Sequence, residues 1–103
     1  MINGLTESEN AFLEQKLIFP LKSKGYQVFL FGSRANGKYK KFSDIDLLYV
    51  EPAGVDKIIP QHEIFKLLSY LEESTFIYKV DLVKKSEIAK SYLDKIEVEK
   101  IEI

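Results

Sequence analysis

Two aspartates stand one residue apart in the run Ser43-Asp44-Ile45-Asp46-Leu47-Leu48, which follows the small-residue turn Gly32-Ser33-Arg34-Ala35-Asn36-Gly37, with ten residues separating Ser33 from Asp44. If Ile45 to Val50 is a strand, Asp44 and Asp46 project to one face with Cα atoms roughly 6.5–7 Å apart. Two carboxylates held so close repel each other unless a cation or a proton sits between them. Mg²⁺ takes oxygen ligands at about 2.1 Å and is commonly held by one or two carboxylates plus substrate phosphates. The turn supplies the complementary half. Gly32 lets the backbone approach a ligand closely, Ser33 adds a hydroxyl, and a short helix opening at Ser33 would aim free N–H groups at phosphate. Phosphate and metal together point to nucleotide chemistry.

A third carboxylate fits the scheme. Ile77 to Val83 reads as a strand in which Asp81 stands where a purely structural strand would carry an apolar residue. Pairing beside the Asp46 strand would bring Asp81 to the same place, either to bridge a second metal or to act as general base on an attacking hydroxyl. Arg34 is the only arginine among 15 basic residues. Its guanidinium fork could hold phosphate in bidentate fashion, or pair with a strand carboxylate. Lys38, Lys40 and Lys41 follow in the connecting loop as added positive field or as a solvated surface. Tyr39 could stack on a base or be an ordinary loop tyrosine. His62, the only histidine, makes no zinc site by itself.

The elements that must position these groups can be read from periodicity. Thr6 and Glu9 form a capping box opening a helix whose Phe12, Leu13, Leu17 and Leu21 share one face. Pro20 should kink that helix or split its last turn, and Gly25 ends it. Strands are expected at about 26–32 and 44–50, then a turn at Glu51-Pro52-Ala53-Gly54. A helix follows from about 56 or 61 to 73, striped by Ile64, Leu67, Leu68 and Leu71. After the strand at 77–83, Ser86 should cap a last helix reaching about 96, with Ile88, Tyr92 and Ile96 inward. Ile101 and Ile103 flank Glu102 as a short edge strand. The order predicts an α/β fold, a small mixed β-sheet flanked by helices, in a single domain spanning 1–103.

Composition narrows the class. With 103 residues a core can form without staples, burying roughly 60–70% of the unfolded surface. There is no cysteine, so disulfides and thiolate metal sites are excluded, which suits a cytoplasmic protein. No apolar stretch approaches the roughly 20 residues of a membrane span, and no signal peptide is evident. A net charge of −1 argues against a nonspecific nucleic-acid binder.

The wording Leu30-Phe31-Gly32-Ser33-Arg34-Ala35-Asn36-Gly37, then Ser43-Asp44-Ile45-Asp46-Leu47, then Asp81 on a later strand, resembles the minimal nucleotidyltransferases. These belong to the DNA polymerase beta nucleotidyltransferase superfamily and are often encoded beside a HEPN-domain partner as a toxin–antitoxin pair. The resemblance runs over nearly the whole chain; Asn36 stands where the family often has arginine. It implies the nucleotidyltransferase fold and Mg²⁺-dependent transfer of AMP from ATP to a hydroxyl, in the toxin–antitoxin members a tyrosine of the HEPN toxin. Carried over, Asp44, Asp46 and Asp81 would be the catalytic and metal-binding residues, and Gly32 and Ser33, with Arg34 beside them, would bind nucleotide. So short a chain has little to hold an acceptor, which must come from a partner or from a second copy in a homo-oligomer. Two other functions stay open: a non-catalytic antitoxin that masks a HEPN partner by contact, and nucleotidyl transfer to a small molecule.

Overall fold

Thr6 starts the first helix through reciprocal hydrogen bonds. Its hydroxyl accepts from the Glu9 N–H at 3.1 Å, and the Glu9 carboxylate accepts from the Thr6 N–H at 2.8 Å. The computed structural model describes residues 2–54, 56 and 58–103. Helix α1 (Glu7–Leu13) widens into a π-helical turn, Glu14–Ile18, before closing as α2 (Phe19–Lys22). Pro20 offers no N–H to the turn behind it, and the helix is split just upstream, where the Phe19 N–H reaches back five residues to the Glu14 carbonyl. The widened turn keeps Leu13, Leu17, Ile18 and Leu21 on the buried side.

Four strands follow: β1 (Gln27–Phe31), β2 (Ile45–Val50), β3 (Val80–Lys84) and β4 (Ile101–Glu102), in the spatial order β3-β2-β1-β4. β1 runs antiparallel to both β2 and β4, while β2 and β3 are parallel, so the sheet is mixed. The parallel pair needs a crossover, which α4 (Gln61–Glu72) provides. The start considered at 56 adjoins residues 55 and 57, which lie outside the described residues. Between β1 and β2 sits the one-turn helix α3 (Ser33–Asn36), and α5 (Lys90–Glu99) precedes β4.

Side-chain alternation gives the sheet two apolar faces. Val28, Leu30, Ile45, Leu47, Tyr49 and Val80 pack with the first helical segments and with Ile64 and Leu71 of α4. On the other face Phe29, Phe31 and Leu48 are covered by Ile96 of α5. The even-numbered positions of β2 belong to this second face, so Asp46 lies in line with Leu48 and beside the Phe31 end of β1.

Two expected boundaries shift. β3 begins at Val80 rather than 77; Ile77 is exposed, and Tyr78 turns its ring toward Phe76 and Arg34. The last helix begins at Lys90 and reaches Glu99, while Ser86 lies in a 3₁₀ turn at Lys85–Glu87. Ile88 is extended (φ −91°, ψ 135°) and packs on the Phe29–Phe31 cluster, so a helix running on from Ser86 is broken there. Tyr92, expected to point inward, is exposed and only meets Phe31 edge-on at 6.5 Å.

Candidate active site

Gly32 joins the two halves of the motif by direct contact. It sits at φ +76°, ψ −157°, a conformation open to glycine, and a Cβ there would collide with the Asp46 carboxylate. Its neighbour Phe31 is the register partner of Asp46 on β2. From Gly32 the backbone turns into α3, with the Ala35 and Asn36 N–H groups bonded to the Gly32 carbonyl at 3.0 and 3.1 Å. Ser33 and Arg34 open this helix, so their N–H groups have no partner within it.

The carboxylates meet on one face. Asp46 and Asp81 are register partners on adjacent parallel strands, hence side by side. Asp44 precedes β2 in the same phase as Asp46. Burial pushes the Asp46 carboxyl up to about 6, helped by the charges of Asp81, Asp44 and Glu99, with Lys79 pulling the other way.

Asp44, Asp46 and Asp81 are therefore brought to the same end of the sheet, next to Gly32 and Ser33. Among the described residues no three His, Cys, Asp or Glu side chains are gathered into a metal cage as they stand. The donor set still fits Mg²⁺. Hard oxygen ligands with uncompensated negative charge, only partly buried, suit an ion that completes its shell with water and substrate phosphates.

Arg34 departs from the expectation that it binds nucleotide. It is wholly buried, and its guanidinium donates to main-chain carbonyls: Nε and Nη2 to Ser43 at 3.1 and 2.9 Å, Nη1 to Asn3 at 2.7 Å, Nη2 also to Lys41 at 3.4 Å. The rings of Tyr39 and Tyr78 lie 5.2 and 4.9 Å from its central carbon. Four of its five N–H donors are taken by carbonyls and the whole side chain is shut away from solvent, so Arg34 is a staple tying the N-terminal segment and the loop before Asp44 to the entry of β3. Tyr39 is occupied with it. The Lys40 N–H bonds the Ser43 hydroxyl at 2.7 Å, a second tie on the same loop. His62 is exposed on α4.

Two charged residues at the site escaped the sequence reading. Lys79 lies two residues before Asp81, and its carbonyl accepts the Ile45 N–H at 2.9 Å, so it borders Asp44. The period-two phase of β3 was signal enough to find it. Glu99, at the end of α5, accepts from the Gly32 N–H at 3.1 Å and from the Asn36 side-chain amide at 3.3 Å. Nothing local marked it, because a glutamate ending an amphipathic helix reads as solvated surface.

The mixed four-stranded sheet flanked by helices is the α/β arrangement of the nucleotidyltransferase fold. The family model for the nucleotidyltransferase domain matches residues 13–103, and the chain belongs to this family of enzymes. It is 36% identical over 93 residues, 88% of either chain, to "Putative protein adenylyltransferase MJ1217" of Methanocaldococcus jannaschii. Among solved structures it is similar to a "putative minimal nucleotidyltransferase" (TM-score 0.69, 26% identity, 94% of each chain). It also shares its fold with a toxin–antitoxin structure containing AMP-PNP (TM-score 0.63, 23% identity, 86% of this chain and 70% of that one). No described helix is long and apolar enough to cross a membrane.

Proposed function

We propose that the chain, acting as one minimal domain, transfers AMP from ATP to a tyrosine hydroxyl of a HEPN-domain toxin encoded nearby and thereby acts as its antitoxin in the cytoplasm. The observation that carries this reading is the pairing of Asp46 with Asp81, with Gly32 pressed against Asp46. The curated relative's name supports AMP transfer to protein, and the shared fold with a toxin–antitoxin structure holding an ATP analogue supports the partner class.

In this reading Ser33 and the opening N–H groups of α3 receive the phosphates, and Lys79 adds the cation that Arg34 does not supply. Asp44 and Asp46, with Asp81, would hold Mg²⁺, which when bound offsets the charge of the triphosphate and of the developing transition state. The acceptor hydroxyl attacks the α-phosphorus, forming the new P–O bond. The bond from that phosphorus to the bridging oxygen breaks, and pyrophosphate leaves with the electron pair. Asp81, exposed on β3, takes the hydroxyl proton. The partner supplies the acceptor surface, or a second copy does in a homo-oligomer.

Incubating the protein with the neighbouring gene product, Mg²⁺ and each nucleoside triphosphate, then weighing the neighbour, tests this. The expected result is a mass gain of one AMP, lost by at least about a hundredfold in rate with Asp46→Asn. A neighbour neutralised without gaining mass would replace catalysis by masking through contact. Transfer to a small molecule instead would replace the protein acceptor.

A further inference from the structure

Glu99 comes from the far end of the chain to the catalytic turn, 67 residues from Gly32, and its place there is built rather than incidental. Lys100 pins the end of α5: its ammonium sits 4.2 Å from the centre of the Phe29 ring and 2.9 Å from Glu97, and its N–H bonds the Ile96 carbonyl at 2.9 Å. Directly after it, Ile101 and Glu102 pair with Leu30 and Phe29 of β1. Glu99 is thus delivered to the end of β1 by a fixed backbone on its C-terminal side. One carboxylate oxygen accepts from the N–H at the start of the turn, the other from the Asn36 amide at its far end. A surface glutamate free to choose would turn away from Asp44, Asp46 and Asp81. This one lies within reach of the Asp46 charge, held by two donors.

We propose that Glu99 is a positioning residue for nucleotide: by spanning Gly32 and Asn36 it sets the attitude of the Gly32–Asn36 turn and so of the Ser33 hydroxyl and the N–H groups that meet phosphate. The proposal rests on the nucleotidyltransferase reading above. Its content is the reach and acceptor geometry of the side chain, not its charge, and two conservative variants separate these. Glu99→Gln keeps the length and the acceptor oxygen for the Gly32 N–H but loses the charge and the acceptor facing Asn36. Glu99→Asp keeps the charge but is one methylene too short to bridge both donors.

The test is KM and kcat for ATP in the native protein and both variants, alongside hydrogen exchange of the Gly32 amide. Loss of a hydrogen bond to a charged acceptor translates to about a tenfold rise in KM for Glu99→Asp, with kcat within about threefold of native. Glu99→Gln should stay within about threefold of native in both. The Gly32 amide should exchange faster in Glu99→Asp and remain protected in Glu99→Gln. Tighter ATP binding in Glu99→Gln would overturn the proposal, because Glu99 would then be an anion occupying the phosphate seat. A native-like Glu99→Asp would overturn it too. Absence of ATP binding by the native protein would remove the site reading and this proposal together, whereas native binding with an unchanged Glu99→Asp removes this proposal alone.

Discussion

Arg34 and Asp46 lie twelve positions apart in one motif, and the fold treats their charges in opposite ways. Arg34 is fully buried, yet three main-chain carbonyls and two aromatic rings compensate its charge. Asp46 is only partly buried, yet it is surrounded by three other carboxylates and its carboxyl is pushed up to about 6. A satisfied buried charge holds structure together. A frustrated, half-exposed one is a place where the folded state is kept short of its optimum, as binding and catalytic sites commonly are. The two are mechanically linked, because Arg34 grips the Ser43 carbonyl and Ser43 directly precedes Asp44.

The comparison breaks first if Arg34 proves dispensable. Arg34→Met keeps the stem and removes the donors, leaving the Ser43 and Asn3 carbonyls without their partner. It should cost about 3–5 kcal/mol, a fall of well over 10 °C in Tm for a chain of this size. Chemical denaturation measures it. A loss under about 1 kcal/mol would mean that the guanidinium is not the staple its contacts describe.

Gly32 tests the seam between the two regions. Gly32→Ala combines a side chain at φ +76° with a collision against Asp46. The expected destabilisation is about 1–3 kcal/mol, less than for Arg34 because the Asp46 carboxylate can swing aside. Nucleotide binding should suffer more than stability does, since the displaced group is the proposed ligand. Thermal melts and ATP titration on one preparation separate the two effects. A variant with native ATP affinity would show that the tight packing of turn on carboxylate is structural only.

What sequence could and could not reveal follows the same division. Asp44 and Asp46 were legible as a pair because alternation along one strand is rigid, whereas Asp81 joins them through the β2–β3 register, in which it is the partner of Asp46. The Gly-Ser turn was legible because few residues tolerate its backbone. Arg34 was misjudged because a guanidinium fits carbonyls and aromatic rings as well as phosphate, and the Asn3 and Tyr78 that claim it are 31 and 44 positions away in the sequence. Glu99 was invisible for the same reason, as its role depends on where α5 ends against β1. The start of α5 was missed because packing of Ile88 overrode the local capping signal of Ser86.

The smallest effect, and the sharpest for the comparison, is the stability of Asp46→Asn without metal. The folded-state carboxyl of Asp46 titrates above its unfolded value, near 6. Between about pH 4 and 6 the native state therefore binds more protons than the unfolded chain, and stability falls as pH rises through that window. Below it both states are protonated and the penalty vanishes; above about 6 it is present in full. Asparagine cannot ionise, so it should remove this penalty, raising stability at pH 7 by on the order of 1 kcal/mol once solvent screening of a partly exposed group is allowed for. At pH 4 the two proteins should melt together. Mg²⁺ at millimolar concentration should then raise the Tm of the native protein and leave that of the variant nearly unchanged, reversing their order at pH 7. If Asp46→Asn is instead less stable than native at pH 7 in chelator, the carboxylate has a stabilising partner in the fold, and Asp46 belongs with Arg34 among the satisfied charges.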